Sequence, residues 1–349
     1  MKAFAYLPDG TAGWVEKERP HPSGYDAVIR PLLVAPCTSD VHNVAIGCLQ
    51  PNRVLGHEGL GEIVEVGDLV RDFRVGDVVV VPPVTPDWRT VPSQLGAHQH
   101  CAGLITGQKL SNSEDGLMAE YALIRDIDAN AARIPDGVTL EGAVLAADML
   151  STGLYGAELA EVQPGDTVVV MGIGPVGLMA VAGARLRGAG RIIAIGSRPK
   201  CVELARLYGA TDIVNYKEGD VERQVHLLTD KQGADCSICA GGGPEALGQA
   251  AAMVRWGGTV GNVNYFTTYG DLPLNNVRFG FGMGNKTIRG GECPGGRARM
   301  ERLLRLLQYG RVDPTPLITH RFTGLDQVED AFRLMEKKPP ALVKTMVAL

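Results

Sequence analysis

TVVVMGIGPVGLMAVAGARL, residues 167–186, decides the fold of half this chain. Five strand-forming residues end at Met171, the glycine-spaced segment GIGPVG follows at 172–177, and a helix-like apolar run continues over 176–186. A G-x-G-x-x-G alone is common, but its place between a strand and a helix gives each glycine a task. Gly172 permits a tight turn, Gly174 lets backbone approach a pyrophosphate, and Gly177 lets the helix pack on the strand. The pyrophosphate would then sit on the helix N-terminus.

Outward from this stretch, strand-like and helix-like segments alternate. Strands are predicted at 191–195, 212–216, 234–240 and 259–264, and helices at 199–208, 221–229 and from Pro244. That alternation predicts a doubly wound parallel sheet. At the end of the second strand, where an acid would hold the adenosine ribose of NAD, stand Gly196, Ser197 and Arg198. Without a carboxylate a 2′-phosphate is not repelled, Ser197 can donate to it, and Arg198 can pair with it, so NADP is the expected coenzyme.

The first half reads differently. Short β-like runs at 27–34, 61–66 and 77–81, separated by Gly, Pro and Asp, predict an all-β region up to about Ser151. Two helical stretches, 298–309 and 326–337, read as the chain returning to complete that region. At 349 residues, two domains fit a prior of roughly 150 residues each. A net charge of −5 with dispersed basic residues excludes a nucleic-acid footprint. No apolar run reaches membrane-spanning length and no signal-peptide core opens the chain, so a cytoplasmic protein is expected. Seven cysteines, an odd number, argue for reduced thiols or metal ligation rather than a disulfide framework.

Within the β-like half, CTSDVH (37–42) and GHE (56–58) present a cysteine and a histidine. A catalytic zinc wants three S, N or O ligands and one open position. Cys37 and His57 offer two, and Asp148, a carboxylate in the apolar stretch AADMLSTG, offers a third, although this spacing fits structural residues equally well. His98 and His100 flank Gln99 in a loop without further ligands and read as structural. Cys236 and Cys239 form a CxxC inside a predicted strand, where their side chains point to opposite faces.

Through CTSDVH, GHEGLGEIVEVG (56–67), VGDVVV (75–80) and GIGPVG the chain resembles the zinc-containing alcohol dehydrogenases of the medium-chain dehydrogenase/reductase family. It especially resembles their bacterial NADP-dependent secondary-alcohol dehydrogenases, through PCTSD, TPDWRT, GIGPVGLMAVAGA, GSRP, YGATDIVNY, NVNYF and CPGGR. The resemblance implies an α/β fold, with a GroES-like β-rich catalytic domain over 1–151 and 293–349 and a Rossmann domain over 152–292. It implies one catalytic zinc on Cys37, His57 and Asp148 with Glu58 as an intermittent or nearby fourth ligand. It implies NADP contacts at Gly174, Pro175, Val176, Gly196, Ser197, Arg198, Tyr216, Val263, Asn264, Tyr265 and Lys338. A substrate pocket is implied near Pro83, Val84, Gln108, Tyr265, Glu292 and Cys293, with Met283 reaching from a neighbouring subunit of a homotetramer. Relatives carry Trp at the place of Gln108 and Leu at that of Glu292, and their 45–54 loop is two residues longer. The second, structural zinc of the family needs four close cysteines, whereas 81–116 holds only Cys101, so none is expected.

The implied chemistry is hydride transfer between a small alcohol or ketone and the nicotinamide, with Ser39 and His42 relaying the proton. Asp40 is expected to orient His57 through its second ring nitrogen. Rivals are a polyol, diol or threonine dehydrogenase of the same family, a zinc-free quinone reductase, and a crystallin-like NADPH-binding protein without turnover.

Overall fold

In the computed structural model, which describes residues 1–266 and 270–349, the strand Thr167–Met171 lies inside a six-stranded parallel sheet. Across the sheet the strands run Asp212–Val214, Arg191–Ile195, Thr167–Met171, Ala234–Cys239, Val254–Asn262 and Thr287–Gly290. The chain builds outward on one side of Thr167–Met171 and then crosses to the other. Position 172 therefore opens the glycine loop at a topological switch point, where ligands of such sheets bind. Val168, Val169, Val170, Ile193 and Val260 are fully buried, as both-face coverage by helices requires. The helix Pro175–Leu186 follows at once, with Gly174 as N-cap and Pro175 in its first turn.

The fifth strand begins at Val254, five residues before the predicted start, because the glycines at 257 and 258 lie within it rather than forming a turn. Gly257 has φ 75°, and the pairing with Ala234–Cys239 shifts register there.

Met149–Cys293 forms one compact unit; Met1–Asp148 with Pro294–Leu349 forms the other. The latter holds a seven-stranded sheet ordered Ile318–Thr323, Lys344–Ala348, Ala27–Val34, Gly59–Val66, Val78–Val81 and Ala132–Arg133, with Ala122–Ile124 pairing onto Ala27–Val34. Phe4, Ile29, Ile63, Phe332 and Val347 meet in its core.

The all-β reading of the first half is corrected by helices at Thr38–Ile46 and Leu140–Leu145 and a π-helical turn at Ala146–Leu150. Thr38–Ile46 is too short to show a helical period, and its N-cap is Cys37, a residue outside the usual capping set. The Asp40 carboxylate accepts from Cys37 N–H at 3.2 Å, and Gly47, at φ 67°, ends the helix in the left-handed region.

Candidate metal and dinucleotide sites

Strand pairing assembles the first site. Val34, near the end of its strand, pairs with Gly59, and Ala35 N–H donates to Glu58 C=O at 3.0 Å. Cys37 thereby meets His57 and Glu58. Asp148 comes from the π-helical turn, a local distortion that often marks functional positions. One donor atom from each of Cys37, His57, Glu58 and Asp148 lies within 4.8 Å of all the others. Cys37 Sγ is 4.0 Å from Asp148 Oδ2, and His57 Nε2 is 3.7 Å from Asp148 Oδ2 and 4.0 Å from Glu58 Oε1. Tetrahedral ligands on bonds of about 2.0–2.3 Å stand roughly 3.3–3.8 Å apart, so separations of 3.7–4.0 Å need to close by only a few tenths of an ångström to hold a zinc ion.

The donor set itself calls for a cation. Burial opposes the Cys37 thiolate, yet the Lys344 ammonium and His57 outweigh it and bring the thiol down to about 7. Burial pushes the Glu58 carboxyl well up; Lys344 opposes that shift, while Cys37 and Asp148 add to it. Glu58 Oε1 accepts from Lys344 Nζ at 2.5 Å, whereas Glu58 Oε2 is buried with no hydrogen-bond partner. A thiolate, an imidazole and two carboxylates, one with an orphaned oxygen, fit a divalent zinc.

Asp40 is fully buried, and its carboxylate accepts from Cys37 N–H, from Gly56 N–H at 3.2 Å and from Ser111 Oγ at 3.0 Å. His57 Nδ1 lies 3.1 Å from Asp40 Oδ1, which directs Nε2 toward Cys37 and Asp148. Burial raises the Asp40 carboxyl, but His57 and these donors overcome it and hold the group below its usual range. Asp40→Asn should therefore weaken zinc affinity by about 10–100-fold. Competition with a chromophoric chelator measures it, and unchanged affinity would remove Asp40 from the site.

Ser39 Oγ reaches His57 Nε2 at 3.2 Å, so that hydroxyl stands at the metal-ligand set. His42, one turn along, is half-buried; burial and then the Lys338 charge lower its pKa. Among the described residues no direct hydrogen bond joins Ser39 to His42. Sequence reasoning missed Ser111 and Lys344. It read the other loop histidines as structural, and the contacts agree: His98 stacks on Trp88 at 4.7 Å and accepts from Gly295 N–H, and His100 accepts from Ile105 N–H. Burial pushes the Cys236 and Cys239 thiols up to about 12.

The second site is a cavity of about 570 Å³ within the Met149–Cys293 unit, walled by Gly172, Ile173, Gly174, Gly196, Ser197, Arg198 and Tyr216 among others. Gly172 sits at φ 85°, and a β-carbon at Gly177 would lie 1.7 Å from Gly172 O. The glycines are thus required by conformation and by close approach. Ser197 Oγ is buried without a hydrogen-bond partner, and Arg198 Nη2 lies 4.0 Å from where a β-carbon on Gly174 would stand. A β-carbon at Gly196 would meet Ile173 Cγ1 at 2.1 Å, so the strand end accepts no acid unless Ile173 moves. An unmatched hydroxyl, a guanidinium and no acid at the strand end fit a 2′-phosphate.

Gly241, Gly242, Glu245 and Gln249 also wall this cavity, and the GGG run after the fourth strand was the signal for them. Pro175, Val176, Val263, Asn264 and Tyr265 are not among its walls; Asn264 Nδ2 donates to Gly242 O at 3.1 Å. Lys338 belongs to the other unit, at φ 44° on the C-cap of Val328–Lys337. Of the expected substrate residues, Val84 and Gln108 pair in a β-bridge beside buried Pro83, and Glu292 and Cys293 follow the strand Thr287–Gly290. Met283 is 83% exposed.

Residues 175–309 match the model of a family described as zinc-binding dehydrogenase, and 23–136 match the alcohol dehydrogenase GroES-like domain. The chain is 55% identical, over 100% of both sequences, to an NADP-dependent isopropanol dehydrogenase of Thermoanaerobacter brockii. It is 32% identical to a sorbitol dehydrogenase of Bacillus subtilis, over 92% of this chain and 90% of that one. The fold matches an alcohol dehydrogenase from Thermus sp. ATN1 with TM-score 0.87 and 29% identity, covering 100% of this chain and 99% of that one.

Proposed function

The chain belongs to the zinc-binding alcohol dehydrogenase family, and on that premise we propose that it interconverts small secondary alcohols and ketones by hydride exchange with NADP. The convergence of Cys37, His57, Glu58 and Asp148 within 4.8 Å carries this reading, with the Ser197 and Arg198 wall of the second cavity selecting the coenzyme. It disfavours both the zinc-free reductase and the protein without turnover, neither of which needs such a donor set.

Bound zinc would supply Lewis acidity toward an alcohol or carbonyl oxygen, and bound NADP the hydride acceptor. Cys37, His57 and Asp148 would hold the metal, Glu58 being nearby or an intermittent ligand. Ser39 Oγ accepts the proton that the alcohol loses while giving up its own, which crosses to His42 through an intervening water because the two side chains share no direct hydrogen bond; His42, kept neutral by its burial and by Lys338, passes it to solvent. Gln108 is polar where the resemblance implies an apolar wall, as is Glu292, so diols belong in any substrate test.

A homotetramer is supported by exposed Val277, Phe281 and Met283, which precede Thr287–Gly290, the edge strand of the parallel sheet, in the chain. Seven free cysteines support a reducing, cytoplasmic setting, and no helix among the described residues is long and apolar enough to cross a membrane. One zinc per chain is the proposed stoichiometry, since residues 81–116 supply one cysteine, Cys101, where a structural zinc would want four ligands.

Arg198→Ala tests the coenzyme assignment. Losing a charged pair with the 2′-phosphate costs about 1.5–3 kcal/mol, or roughly 10–100-fold in kcat/KM with NADP, while NAD is little affected. A wild-type preference for NAD, or an equal loss with both coenzymes, would overturn it.

A further inference from the structure

Lys344 is 1% exposed and opens the last strand, Lys344–Ala348, at the far end of the sequence from the residues it meets. Val347 and Ala348 of that strand pair with Val34 and Leu33, and Val34 pairs with Gly59. Lys344 is thereby brought against Glu58, whose side chain is fully buried.

We propose that Lys344 is a positioning residue for the metal site: its ammonium holds Glu58 Oε1 and neutralises the carboxylate, so that Glu58 remains an exchangeable rather than a permanent ligand. The inference rests on the zinc reading above. A thiolate and two carboxylates around a divalent cation leave one negative charge uncompensated in a pocket nearly closed to water, and such a charge is strongly disfavoured. Lys344 supplies the compensating charge. It also takes one oxygen of Glu58, leaving Oε2 as the oxygen without a partner. Without the ammonium, Glu58 has only the metal to satisfy it and competes with substrate for the open position.

Two variants separate charge from contact. Lys344→Met removes both the charge and the donor; Lys344→Gln keeps a donor for Oε1 without the charge and is the gentler change in a packed site. Both are examined as zinc-loaded proteins for the rate of zinc release to excess chelator and for kcat with a secondary alcohol. Each should release zinc about tenfold or more slowly and lose a comparable factor in kcat, on the scale of other groups that orient metal ligands. Lys344→Met combined with Glu58→Gln, which removes both charges, should return zinc release to the wild-type rate. A purely structural lysine would loosen the metal instead. Zinc release as fast as wild type or faster in Lys344→Gln, or release that stays slow in the double variant, would overturn the proposal. Wild-type protein that binds no zinc would instead overturn the zinc reading, so the two failures are distinguishable.

Discussion

Cys37→Ala should abolish alcohol oxidation while leaving NADP binding intact. The thiol is the sulfur donor of the four-residue set, is buried, and is poised near neutrality by Lys344 and His57 against the cost of burial. Removing it leaves His57, Asp148 and Glu58 to hold the metal, and a metal lost or displaced forfeits several kcal/mol of charge stabilisation. At about 4 kcal/mol, turnover falls by roughly three orders of magnitude. The dinucleotide cavity is walled entirely by residues of the other unit, so NADPH affinity, read by its fluorescence, should not move. Zinc content measured beside kcat checks the cause. A variant that keeps its zinc and its rate would show that the cysteine is structural.

Gly177→Ala should have the converse effect. A methyl group there would stand 1.7 Å from Gly172 O, which is backbone and has no rotamer by which to escape. Either the helix Pro175–Leu186 shifts or the turn at Gly172 opens, and overpacking of this kind costs about 1–3 kcal/mol or more. The same movement withdraws the helix N-terminus from the pyrophosphate. We expect NADPH affinity to fall by about 100-fold or more with zinc content unchanged, and a thermal melt to show the loss of stability. Affinity within about twofold of wild type would refute the assigned role of this glycine.

These two variants also mark what was legible in the sequence. The dinucleotide loop could be read because its strand, turn and helix are contiguous, and each glycine answers a local steric demand. Arg198 and Ser197 were readable for the same reason: they close the next strand of the same sheet. Even so, Gly241 and Gly242, the first two of the GGG run, were overlooked as walls of the cavity.

The metal site depends on long-range pairing. Cys37 and His57 meet only because Val34 pairs with Gly59, and their spacing alone left a structural pair equally acceptable. Asp148 stood out as a charge in an apolar run, but the π-helical turn that presents it carries no period to detect. Lys344 gave no signal at all, because a lysine opening a C-terminal strand reads as a solvated end. The strand is in fact buried from Lys344 to Val347, and a charge there needs the partner that Glu58 provides. The helix Thr38–Ile46 was lost to the all-β reading because nine residues capped by a cysteine lack both the period and the usual capping residue.

The most direct test of the account is the rate of 2-propanol oxidation with NADP before chelation, after chelation, and after zinc is restored. Activity should disappear with the metal and return with about one zinc per chain. Activity that survives complete zinc removal would contradict it.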